Sequence, residues 1–98
     1  MMGRTKLVVA LLSEHGALPG LTRGEIRTKL GWPEDIEVTA RVREAENNPS
    51  YGALDVRCMQ ITRSEWRYWL PARERKRAAA LVEKWIAEEH ARARRMAA

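Results

Sequence analysis

The segment Thr22-Arg23-Gly24-Glu25-Ile26 constrains the fold more tightly than any other part of this chain. It is a capping box: the Thr22 hydroxyl can accept one free backbone N–H at a helix start, and the Glu25 side chain can reach back for another. Leu21 before the box and Ile26 inside the helix are spaced as a hydrophobic staple, and Gly31 ends the helix after barely two turns. A helix that short does not persist alone in water. It must be packed between neighbours.

Those neighbours can be read from their own signals. Thr5 is placed to cap a first helix through about His15, with Leu7, Val8, Leu11 and Leu12 at helical spacing. Gly16 is expected to end it in the left-handed conformation, and Ala17-Leu18-Pro19-Gly20 reads as a turn. Trp32-Pro33 restarts the chain, with proline suited to a first helical turn and Glu34, Asp35 and Glu37 to a helix N-terminus. Val38, Val42 and Ala45 then form a helical stripe that Asn47-Asn48-Pro49 stops. Ile36, Val38, Ala40 and Val42 also alternate as a strand would, but the proline, the acids and the stripe agree on a helix.

After the turn-rich loop Asn47–Gly52, Leu54–Thr62 alternates with strand-forming residues, and Trp66–Leu70 does so again before Pro71. Joined by Arg63-Ser64-Glu65, the two predict a hairpin. The competing reading is a helix started by a second capping box, Thr62-Arg63-Ser64-Glu65, with Ile61 and Trp66 as its staple. From Ala72 to about Arg95 the pattern is one long helix with Ala78, Leu81, Val82, Trp85 and Ile86 as its apolar stripe. The expected fold class is therefore mainly α with a small β-hairpin. Residues 1–71 form one domain, and residues 72–98 are a C-terminal helix that packs on it or dimerises.

Two short helices joined by a tight Gly-Trp-Pro turn and followed by a hairpin resemble the winged helix-turn-helix fold. The string EVTARVREAE, a turn and then LDVRC is similar to the recognition helix and wing of small helix-turn-helix proteins of bacteriophages, where the motif reads Val-Thr-x-Arg-Val/Ile-x-x-Leu. The likeness covers about residues 5–70, and Ala45 stands where a larger leucine is usual. It implies sequence-specific binding of double-stranded DNA by a small transcriptional regulator of phage or prophage type. With Val38, Val42 and Ala45 inward, the outer face of the recognition helix carries Ile36, Ala40, Arg43 and Asn47, with Thr39 and Arg41 on its edges. Arginine and asparagine are the side chains that read guanine and adenine bidentately in the major groove. Thr22, Arg23, Arg27 and Lys29 on the supporting helix would touch phosphates, and Arg57, Arg63 and Arg67 in the wing an adjacent stretch of backbone or the minor groove.

Charge supports this and also complicates it. The net charge is +5 and the isoelectric point about 10.0, as suits a polyanion partner. Yet residues 32–52 hold five acids against two arginines, so the proposed reading element is the acidic part of a basic chain. The alternative is thus a protein-interaction module, a phage-encoded inhibitor using that acidic helix as its contact. Taken singly, each wing arginine and the RERKR and RARR runs of the long helix also read as solvated charge. The Trp66/Tyr68/Trp69 cluster reads as core or dimer contact, since duplex readers need no stacking platform.

Other functions find little support. The single cysteine, Cys58, cannot form an intramolecular disulfide and fits a reducing compartment. The apolar run Leu7–Leu12 is too short for a signal or membrane segment, so a cytoplasmic protein is expected. One cysteine and two separated histidines, His15 and His90, make neither a zinc site nor a catalytic constellation, and no glycine-rich phosphate loop occurs. No cofactor and no enzymatic activity are expected. A homodimer through the long helix is expected, because a bare stripe of five apolar residues needs a cover and paired DNA half-sites match twofold symmetry.

Overall fold

The computed structural model describes residues 2–97. Its elements run α1 (Arg4–His15), β1 (Leu21–Thr22), α2 (Arg23–Leu30), α3 (Val38–Asn47), a single 3₁₀ turn (Pro49–Tyr51), β2 (Arg57–Gln60), β3 (Trp66–Trp69) and α4 (Ala72–Ala97). The chain is mainly helical, with a small antiparallel sheet in the order β1-β3-β2.

The capping box forms as its sequence demands. The Glu25 N–H donates to the Thr22 hydroxyl at 3.1 Å, and the Thr22 N–H donates to the Glu25 carboxylate at 3.0 Å. Gly31, at φ 68°, closes the helix in the left-handed region that glycine occupies without a Cβ penalty. Leu21 and Ile26 are both buried. Thr22→Ala should therefore cost about 1 kcal/mol of stability in urea denaturation, and an unchanged midpoint would show that the box contributes nothing. The same residues do a second job: Leu21 and Thr22 pair with Tyr68 and Arg67, so the lead-in to α2 is also the third strand of the sheet. Two residues are too few to carry an alternation signal.

Helix boundaries depart from expectation in three places, two starts and one end, each because a side chain or turn is used otherwise. Thr5 does not cap α1, which begins at Arg4 after an extended Gly3; its buried hydroxyl instead donates to Glu44 Oε2 at 2.7 Å and so ties α1 to α3. Gly16 is not left-handed (φ −84°); its N–H returns to the Leu12 carbonyl and its own carbonyl accepts from the Leu70 N–H at 2.8 Å. Pro33, Glu34 and Asp35 lie in a turn rather than a first helical turn, and α3 starts at Val38 with Glu37 as its cap. The turn is held by the Ile36 N–H on the Pro33 carbonyl at 3.2 Å and by Arg27 Nε on the Ile36 carbonyl at 3.3 Å. From there on, Val38, Val42 and Ala45 are buried as one helical stripe, which excludes the rival strand.

Residues 57–69 form the hairpin, with Arg57 opposite Trp69, Cys58 opposite Tyr68, Met59 opposite Arg67 and Gln60 opposite Trp66. The Thr62–Glu65 segment is its tight connection, not a helix: the Ile61 and Thr62 N–H groups both turn to the Glu65 carbonyl. The first arm is shorter than the alternation from Leu54 suggests. The Leu54 N–H is already bound to the Ala45 carbonyl at 2.9 Å and the Asp55 N–H to buried Glu74 at 2.7 Å, so neither can join the ladder. Glu74 also holds Arg77 at 3.2 Å, which fixes the start of α4 to the chain just before β2.

At about 1.5 Å per residue, the 26 residues of α4 span roughly 39 Å. The helix lies against α1, burying Ala78 and Trp85 and half-burying Leu81 and Val82, while Ile86 stays exposed. Trp85 meets the Tyr51 ring edge-on at 6.3 Å between centroids, and Lys6 Nζ stands 5.2 Å over its indole. Gly52, at φ 99°, lets Leu81 approach so closely that a Cβ there would stand 2.5 Å from its Cδ1. Most of the stripe that argued for a homodimer is thus covered inside the chain, by the fold-back of α4 onto α1. One core results, made of Val8, Val9 and Leu12 from α1, Ile26, Val38 and Val42 from the next two helices, and Leu54, Leu70 and Trp85.

Candidate nucleic-acid interface

Cross-strand partners lie on the same face of a sheet, so the hairpin register sorts its side chains into two sets. Cys58, Tyr68 and Trp66 face α3, whereas Met59 and Arg67 lie on the other side. Between α3 and the hairpin runs an open groove. Thr39, Arg43 and Glu46 line it from α3, Arg23 from the first turn of α2, and Arg63 from the hairpin connection, with Trp66 and Tyr68 along its hairpin wall. The Tyr68 hydroxyl lies 3.5 Å from Thr39 Oγ1, near enough to join the two walls.

Three guanidinium groups from three different elements therefore face one carboxylate, that of Glu46. Among the described residues none of Arg23, Arg43 and Arg63 has a side-chain hydrogen bond or ion pair. Arg43 is exposed on a crest of α3. On its far side a second shallow surface carries Ala40 and Asn47 and continues to Asn48 and Pro49.

Not every expected contact residue reaches this place. Arg23, Thr39, Arg43 and Arg63 come together, and Asn47 flanks them. Thr22 is occupied by its cap, and half-buried Arg27 holds the turn before α3. Arg41 pairs with Glu44 at 2.7 Å, and Arg57 grips Asp55 with a two-nitrogen fork at 2.7–3.0 Å. Lys29 is exposed on α2, beside Thr28 rather than on the groove. Arg67 lies on the opposite face of the sheet, where it donates to the Gly20 carbonyl at 3.1 Å and to Glu25 at 3.0 Å. The Thr22 N–H, aided by its hydroxyl and by the Arg67 charge, holds the Glu25 carboxyl below the ordinary carboxylate range.

The acidic segment also sorts itself out. Glu37 caps α3 by accepting the Thr39 N–H at 3.1 Å, and Glu44 is shared between Thr5 and Arg41. Glu34 and Asp35 precede the helix, exposed. Glu46 alone of the five lies in the groove without a partner among the described residues. Nothing local in the sequence places Glu46, Trp66 and Tyr68 in the groove. Only the hairpin register could have placed the two aromatics there, and that register is not written in the alternation.

Among the described residues no cluster of histidine, cysteine and carboxylate side chains could hold a metal ion, Cys58 is a free exposed thiol, and no helix is long and apolar enough to cross a membrane. No protein-family model, no curated protein and no solved structure matches the chain.

Proposed function

We propose that the protein is a small winged helix-turn-helix regulator of phage or prophage type that binds double-stranded DNA sequence-specifically. In this reading α2, the turn and α3 are the helix-turn-helix, α3 enters the major groove, the hairpin is the wing and α4 is the strut behind α1. The observation that carries it is the convergence of Arg23, Arg43 and Arg63 on one open groove without protein partners. Guanidinium groups left unpaired and aimed together suit a polyanion, and separate elements suit a duplex whose phosphates and base edges lie on different radii. Of the acids around the reading helix, Glu44 is offset by Arg41 and Glu37 is turned to the helix start as its cap. A regulator of this kind works in the cytoplasm, where an exposed thiol such as Cys58 stays reduced. Homodimerisation rests on the symmetry of paired half-sites alone, and equilibrium sedimentation checks it against the 11.3 kDa chain.

Fluorescence anisotropy with a labelled random duplex tests the proposal. Three phosphate or groove contacts should weaken binding about fortyfold between 50 and 200 mM salt, and Arg63→Ala should lower the log–log slope by about one. Absence of any salt-dependent binding would end the DNA reading. The second reading, a protein-interaction module, draws on Met59, Ile61 and Trp66, which leave 42–45% of their surface exposed on the hairpin. It requires a complex with a protein that ignores duplex DNA.

A further inference from the structure

Resting on the DNA-binding reading, we propose that Glu46 is a specificity-determining residue that selects a cytosine next to the guanine read by Arg43. Of the five acids in residues 32–52, four are accounted for by a cap, a shared hydrogen bond and ion pair, or a place in the turn ahead of α3. Glu46 is different. It is exposed, it shares the groove with Arg43, and no described residue pairs with it, not even Arg43 three positions earlier on the same helix.

A lone carboxylate facing a phosphate-lined duplex weakens binding to every sequence alike unless some base repays it. Only one base edge in the major groove does so without an acceptor beside its donor: the N4 amino group of cytosine. Adenine also offers an amino donor there, but its N7 acceptor lies alongside and repels a carboxylate, whereas guanine and thymine place acceptors at that edge. Spacing supports a neighbouring base pair. Three residues of α-helix advance about 4.5 Å, and one base-pair step rises about 3.4 Å. Thr39, Arg43 and Glu46 therefore form a stripe that steps along the groove, arginine to guanine and glutamate to cytosine. The acid then serves mainly to reject the wrong base, which is how discrimination differs from affinity.

Selection of bound duplexes from a randomised library, followed by anisotropy on single-position variants, tests this. The wild-type protein should select a guanine with an adjacent cytosine and bind the cytosine site about tenfold more tightly than its substitutions. Glu46→Gln should move the preference at that position to adenine, because an amide can accept from N6 and donate to N7. Glu46→Ala should erase the preference while tightening binding to random duplex by a few fold. Glu83→Ala removes an exposed acid from α4, outside the groove, and controls for charge alone. It should leave every base preference in place. DNA binding in which Glu46→Gln and Glu46→Ala select the same bases as wild type overturns the role of Glu46 and leaves the DNA reading standing. Failure of the wild-type protein to bind any duplex overturns both.

Discussion

Trp85→Ala is expected to lower the free energy of unfolding by about 3–5 kcal/mol, the usual cost of truncating a buried large aromatic. Only 5% of Trp85 is exposed, and three kinds of contact depend on it: α1 packing, the edge of Tyr51 and the Lys6 ammonium over its ring. Small domains are stable by about 5–15 kcal/mol, so the variant would be marginal at physiological temperature. Chemical denaturation followed by circular dichroism provides the measurement. A loss below about 1 kcal/mol would mean that α4 does not lie on α1 in solution. Trp85→Glu is more severe still: it should abolish the folded state rather than yield a folded monomer, since the indole is core and not a dimer contact.

The second large effect separates two arginines that look alike in sequence. Arg43→Ala should cost about 1–3 kcal/mol in binding the selected duplex while leaving thermal stability unchanged, because the side chain is exposed and unpaired within the protein. Arg67→Ala should behave in the opposite way. Its guanidinium joins the Gly20 carbonyl to Glu25, so its loss should lower the melting temperature and leave the salt dependence of DNA binding intact. Equal effects of the two changes on both measurements would show that groove and scaffold have been assigned wrongly.

Much of this was legible in the sequence wherever a signal is local. The capping box, the Val38/Val42/Ala45 stripe, the hairpin connection and the long amphipathic helix all depend on residues within about one turn or one strand pair of each other. What was not legible depends on partners distant in the chain. Thr5 looks like a helix cap until Glu44 is known to lie beside it, 39 positions later. Arg67 looks like a phosphate contact until Glu25 is found across the sheet, and Leu54-Asp55 looks like strand until Ala45 and Glu74 take its N–H groups. The stripe on α4 had two possible covers of equal chemistry, and composition cannot choose between a neighbour in the same chain and one in another. For the groove, arginine identities were readable, but which of them remain unpaired follows only from where each acid is spent.

The packing of α4 on α1 has a consequence for how the protein is made. Lys6 and Trp85 meet in the finished molecule, yet nearly the whole sequence lies between them. At a synthesis rate of about 5–20 residues per second, the side of α1 that α4 covers waits on the order of ten seconds for it. Residues Leu21 and Thr22 likewise wait for Arg67 and Tyr68 before their strand can form. Until α4 emerges, that side of α1, unlike the side that meets α3, has no partner in the chain. Burial of Trp85 and of that side of α1 therefore comes only once α4 has been made.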